Sequence, residues 1–409
     1  MKLAILDCFL VCTLVAFGSL YQLTIVPYLV VGFVIVVSIL VALGKITERL
    51  YPVYIYGMAL ALLLQITMLG FYVVGADIHG EYYLASQSIQ NGWDFNLRYV
   101  NSTSIALGLL SPALAKIGIP ALWQFKMVYP MIFATVPLIL FFAYKKIIGS
   151  DRAFWSCLFF MVMPVFFMEI SGIAKSMIAE VFLALVVLLL VVDIKPWQRI
   201  TGLMVCTALA MGSHYTVGFI TLGILIGMVC LMVVAVPFRW SNKMPVYYYI
   251  LPLIIVAGGG LLYFMHSGSG VMMRAIKMIA GWFGQLSAYR LNTGTPLIAT
   301  ALGLDFMKAT IGGKVFRITQ YLIQFMIVVG VGYSVFRYKA YKLPTEYICA
   351  SVTALCLLGL CIVMPIFAAA INASRLYHFA LFLLAPMLII GFEQIGNDIK
   401  RLRWARAST

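Results

Sequence analysis

Apolar runs of about twenty residues recur along nearly the whole chain, and no other feature constrains its folding more. Wound as a helix, such a run matches the ~30 Å hydrocarbon core of a bilayer. In lipid only a helix or a closed barrel can satisfy its own backbone. About twelve runs are legible, near 4–20, 24–43, 53–74, 123–143, 153–168, 176–192, 200–217, 219–237, 246–265, 318–336, 346–367 and 376–395. They make 64% of the 409 residues hydrophobic and leave 10% charged, a balance that excludes an ordinary water-soluble domain. The expected fold is therefore all-α: a polytopic integral membrane protein with about 12 transmembrane helices, forming one transmembrane domain over 1–409 with no soluble domain. The first run lacks a small-residue cleavage site, so no cleavable signal is expected.

The lysines and arginines orient this map. With the N-terminus in the cytoplasm, the short inner connections hold Lys45 and Arg49, then Lys145, Lys146 and Arg152, then Lys195 and Arg199. Arg239 and Lys243, then Arg337, Lys339 and Lys342, and finally the Lys400–Arg406 tail follow, as the positive-inside rule requires. The expectation is a multi-pass cell-membrane protein with both termini cytoplasmic. Much of the net charge of +15 is then topological. It points to anionic headgroups and membrane lipids, not to nucleic acid. The eight cysteines fall inside apolar runs without metal-ligand spacing and read as small core residues.

Two long outer segments interrupt the pattern. The first, 75–122, opens on the acidic cluster Asp77-Ile78-His79-Gly80-Glu81-Tyr82-Tyr83 and ends in an amphipathic run from Ser104 to Ile119. The second, 266–317, mixes glycines with Arg274, Lys277, Trp282, Arg290, Asp305, Lys308 and Lys314. Both fit short interfacial helices lying on the membrane. Simple surface anchoring is the plainer alternative.

Asp77 and Glu81 stand four apart, so a helix after the bilayer exit places them on one face with His79 to the side. Carboxylates with an imidazole suit a hard divalent cation such as Mg2+ or Mn2+, or a general base. Alternatively, Asp77 caps a surface helix. Glu169 closes another apolar run and is followed by Ile170-Ser171-Gly172-Ile173-Ala174-Lys175, a very short outer loop. The candidate metal set is Asp77, Glu169 and His79. Glu180, inside the next helix, faces a cavity or pairs with Lys175. His79, His214, His266 and His378 all map to the outer half. Arg375, in a short loop between two apolar spans, suits bidentate phosphate binding, and Lys126 near an outer helix end is a second phosphate candidate. Both could instead snorkel to headgroups. Tyr82, Glu81, Lys175, His214 and His378 complete the set of candidate substrate contacts.

An acidic motif after a transmembrane helix, two further spans, and a second acid in the next outer loop resemble the GT-C membrane glycosyltransferases. More closely, Asp77 to Tyr83, Glu169 to Glu180 and Ser374-Arg375-Leu376-Tyr377-His378 are similar to an uncharacterised archaeal family of predicted polytopic membrane proteins that looks GT-C-like. The resemblance implies two extra N-terminal helices (1–45), a GT-C-like core (53–220) and variable helices (221–409). It implies an inverting glycosyltransferase that moves a sugar from a polyprenyl-phosphate-linked donor to a glycan, lipid or protein acceptor outside the membrane. Asp77 would be the base, Glu169 would hold a metal or the acceptor, and Arg375 would hold the donor phosphate. Three departures stand out: the first motif is Asp-Ile-His-Gly-Glu where the family has a plain acid pair, the two N-terminal spans precede the usual first helix of the module, and the large C-terminal ectodomain common in such enzymes is not expected here. Polymerases or ligases of lipid-linked glycans, and flippases or transporters of a lipid-linked sugar, are the competing classes. A flippase is expected to place charge at the bilayer midplane and to repeat internally; few charges sit there and no repeat is visible.

Overall fold

The computed structural model describes residues 1–75, 77–97, 99–235, 245–267, 270–286, 310–337, 343–363 and 372–407. Arg239, Lys243, Arg290, Asp305, Lys308, Lys339 and Lys342 lie outside the described residues. Among those described there is no strand, and each of the twelve apolar runs contains a helix. We number the helices α1 (Lys2–Leu20), α2 (Val26–Ala42), α3 (Tyr51–Thr67), α4 (Ile78–Asn91), α5 (Ser111–Lys116), α6 (Ala121–Ile148), α7 (Ser150–Val162) and α8 (Ala174–Val191). Then come α9 (Pro196–Ser213), α10 (Tyr215–Ala235), α11 (Tyr247–His266), α12 (Val271–Leu286), α13 (Ile311–Phe336), α14 (Thr345–Val363) and α15 (Ala373–Ala407).

Eight of the described helices are long and apolar enough to cross a bilayer, or nine if α7 and Val165–Gly172 form one span bent by 52°. The bend falls beside Pro164, which has no amide to donate and ends the α7 ladder. The expectation of about twelve spans is reduced for a physical reason. α2 and the Thr345–Cys361 stretch of α14 are helical but short, and the first turn of α9 is Pro196-Trp197-Gln198-Arg199, too polar to count. A second correction concerns α3. The apolar run continues to Val74, but the helix stops at Thr67, and Gly70 at φ 62° turns the chain out of it.

The chain divides into two compact units: Met1–Gly223 with Tyr247–Met272, and Ile224–Val246 with Met273–Thr409. In the first, α1 packs on α3 at close range because Gly57 leaves room for Cys8. The Cys12 thiol donates to the Gly57 carbonyl at 3.5 Å. The N-terminal pair is therefore joined to the first unit. α8 packs against α6 and α9. In the second unit α13 and α15 cross where Gly330 and Gly391 face each other's backbone, a Cβ at Gly330 falling 1.8 Å from the Met387 carbonyl oxygen. All eight cysteines are free. Five are buried, Cys206 is half-buried, and Cys230 and Cys356 are exposed, so the core expectation is corrected for those two.

Candidate functional site at the acidic loops

The site begins where α3 ends. The last carbonyls of a helix have no partner in the helix and attract a cation. Lys126, 1% exposed, supplies it: its ammonium donates to the carbonyls of Thr67 (2.9 Å), Leu69 (3.4 Å) and Tyr72 (2.8 Å). The Thr67 hydroxyl returns a bond to the Lys126 carbonyl at 2.9 Å. Phosphate binding by Lys126 is therefore corrected, since an ammonium has three N–H donors and all three meet main chain. Its cation shapes the chain that leads from α3 to the first acid.

That chain then crosses the second acidic loop at backbone distance. Gly75, at φ +135°, lies so close to Gly172 that a Cβ on it would sit 2.9 Å from the Gly172 Cα. Only glycine fits both the angle and the contact. Asp77 follows two residues after Gly75, and Glu169 precedes Gly172 by three. Asp77 is exposed and Glu169 half-buried. The crossing brings the two predicted acidic segments together.

A buried pair braces the crossing. Glu81, on α4 and fully buried, forms an ion pair with the Lys175 ammonium at 3.1 Å and accepts from the Lys175 main-chain N–H at 3.2 Å. Lys175 also donates to Asn101 Oδ1 at 2.5 Å. Burial pushes the Glu81 carboxyl above the usual range, the Lys175 charge and hydrogen bonds oppose this, and Asp77 adds to the rise. The assignment of Glu81 and Lys175 as substrate contacts is thus corrected. They meet each other and tie α4, the end of the first loop and the start of α8 into one junction. Glu180, also fully buried, accepts from the Ser176 hydroxyl at 2.9 Å.

Around the junction, His79 is exposed on α4 and half-buried Tyr82 meets the Phe125 ring edge-on at 5.5 Å. The Tyr99 hydroxyl fills the space a side chain at Gly80 would need. The first loop closes onto α9: Ser104 donates to the Ser213 carbonyl at 2.7 Å, and Ile105 fits against Gly212. His214 occupies the single residue between α9 and α10, 5% exposed, its ring edge-on to Tyr215.

In the second unit, Asn372, at φ 67°, accepts from the Ser374 N–H and hydroxyl and so opens α15. Arg375 is half-buried on the first turn. His378 is fully buried against Phe379 and Phe382.

Among the described residues, no group of three or more His, Cys, Asp or Glu is placed to hold a metal ion. Asp77, Glu169 and His79 therefore do not form the expected ligand set. What the junction can do without a metal is accept a proton: a carboxylate at a membrane exit is a general base for a hydroxyl. Sequence reasoning missed Asn101, Gly75 and Gly172. The signals were a glycine just before the acid motif, another just after the second acid, and an amide in the polar stretch.

A family model described as a predicted membrane protein (DUF2206) matches residues 201–409. No curated protein and no solved structure matches the chain. The matched stretch includes His214, Arg375 and His378 and stops short of Asp77 and Glu169. It covers just over half of the chain, which belongs to the DUF2206 family of predicted membrane proteins.

Proposed function

We propose that the protein is a membrane glycosyltransferase that moves a sugar from a polyprenyl-phosphate-linked donor to an acceptor hydroxyl on the extracytoplasmic side. The observation that carries this reading is the backbone crossing at Gly75 and Gly172, which gathers the two acidic loops of the GT-C resemblance at one junction. Asp77 takes the proton from the acceptor hydroxyl. The acceptor oxygen attacks the anomeric carbon as the bond to the lipid phosphate breaks, so the phosphate leaves with the electron pair and the anomeric configuration inverts. Glu169 orients the acceptor. The resemblance alone assigns the departing phosphate to Arg375. No step runs through a divalent cation, since the three candidate ligands are not assembled.

The test is transfer from a labelled polyprenyl-phosphate-sugar pool by the purified chain in lipid, against Asp77→Asn and Glu169→Gln. A positioned base is worth about 10²–10⁴ in rate, so Asp77→Asn is expected to lose at least a hundredfold with folding unchanged. Full transfer by Asp77→Asn removes it as the base. Movement of the labelled lipid across the bilayer without any product refutes the transferase in favour of a flippase.

A further inference from the structure

We infer that α12 lies flat in the membrane–water interface and binds the headgroups of anionic phospholipids through Arg274 and Lys277. Its position is set by α11. That helix is a candidate span ending at His266, so its end marks a membrane surface. α12 starts five residues later, at Val271, after a turn at Gly270 with φ 69°. Five residues reach at most about 18 Å, so the first turn of α12 stays near that surface. The first turn is also pinned. Val271 is 2% exposed and packs with Phe264, Val256 and Met211 in one apolar cluster, with Met272 against it.

Beyond that anchor the helix is two-sided. Met273, Ile276 and Ala280 are exposed, and their spacing (i, i+3, i+7) makes one apolar stripe. Arg274 and Lys277 are exposed three residues apart and make a basic stripe beside it. The helix holds no acidic residue. With 16 residues it is about 24 Å long, and it is not among the helices able to cross a bilayer. An exposed apolar stripe beside a basic one, tied to a span end, fits the boundary between acyl chains and phosphates. Two cations within one turn can grip one phosphate or two neighbouring ones, while the apolar stripe dips below them.

The test uses the full chain in nanodiscs of phosphatidylcholine, with and without phosphatidylglycerol. A fluorescent non-natural residue replaces Ile276, which leaves the native cysteines untouched. Quenching by brominated phosphatidylglycerol is compared with quenching by aqueous iodide. The expected result is strong quenching by the brominated lipid and protection from iodide. A basic residue at an anionic surface is worth roughly fivefold in lipid occupancy. Arg274→Glu with Lys277→Glu removes two such contributions and adds repulsion, so it is expected to lower phosphatidylglycerol enrichment around the probe by at least about 25-fold. Arg274→Lys is expected to retain most of it and shows that folding survives substitution there. A probe quenched by iodide and not by lipid overturns the interfacial placement. Equal quenching in brominated phosphatidylcholine and phosphatidylglycerol, unchanged by charge reversal, overturns the anionic headgroup assignment.

Discussion

Lys175→Met tests whether one buried pair holds the two acidic loops together. The substitution keeps most of the stem and removes the cation that faces Glu81 at 3.1 Å and Asn101 at 2.5 Å. Glu81, fully buried, is left with the main-chain N–H of residue 175. Removing one member of a buried pair costs about 3–5 kcal/mol, because the other is left uncompensated. For a unit of this size that is on the order of 6–10 °C in Tm. Glu81 limits the loss by taking up a proton. Burial already holds its carboxyl above 4.5, and Lys175 is the main influence pulling it back, so losing Lys175 raises it further. A carboxyl raised in the folded state contributes stability that is full below its unfolded value and disappears as pH climbs through its folded one. The penalty of Lys175→Met is therefore smallest near pH 4–5 and grows toward neutral pH. Glu81→Gln combined with Lys175→Met removes both charges and is expected to recover at least about 2 kcal/mol of the single-variant loss. Thermal unfolding in detergent, followed by labelling of the buried cysteines with a thiol-reactive dye, reads all three variants. Equal Tm losses at pH 5 and pH 8, or a double variant no better than the single, would refute the clamp.

Three further outcomes follow from the same geometry and assay. Gly75→Ala is expected to cost about 1–3 kcal/mol, since its φ of +135° and a 2.9 Å approach to backbone both oppose a side chain. Gly172→Ala, whose Cβ would stand 3.5 Å from the Gly75 Cα, is expected to stay within about 0.5 kcal/mol, and equal losses at the two glycines would contradict the crossing. Lys126→Met strips the donor from three carbonyls at the end of α3 and is expected to lower stability by about 3 kcal/mol at constant pH. In the second unit, Gly330→Ala drives a Cβ into the Met387 carbonyl and is expected to cost about 3 kcal/mol, whereas Gly332→Ala, with open space beside it, serves as the silent control.

The helices were legible because each apolar run is long and carries few charges, and hydropathy alone marks such runs. Their ends were not. Leu69, Phe71, Tyr72, Val73 and Val74 are as apolar as the helix before them, so nothing in hydropathy separates Thr67 from Val74. The break is written in Gly70 and in the remote ammonium of Lys126, which gathers carbonyls from a helix 59 residues away in sequence. The acidic segments were legible as isolated charges at the ends of apolar runs. Their partners were not, because Glu81 and Lys175 are separated by 94 residues and no local pattern couples them. Asn101 is equally silent in the local pattern: its amide oxygen is taken by Lys175, and Ser102 and Thr103 beside it are buried.

How the junction uses its charges narrows where chemistry can reside. An ionisable group at a membrane edge is costly unless it is paired or wet. Lys126 is bound to three main-chain carbonyls, and Glu81 and Lys175 are bound to each other, so all three act on the fold and sit below the surface. These internal pairings hold α3, α4 and α8 so that the segments carrying Asp77 and Glu169 cross at two glycines. Asp77 is the acid of the cluster that this framework leaves exposed, two residues from the crossing. Asp77→Asn keeps the Glu81–Lys175 pair and the glycine crossing and removes one charge beside Glu81. It therefore separates chemistry from architecture: activity should fall while the unfolding temperature moves by much less than for Lys175→Met.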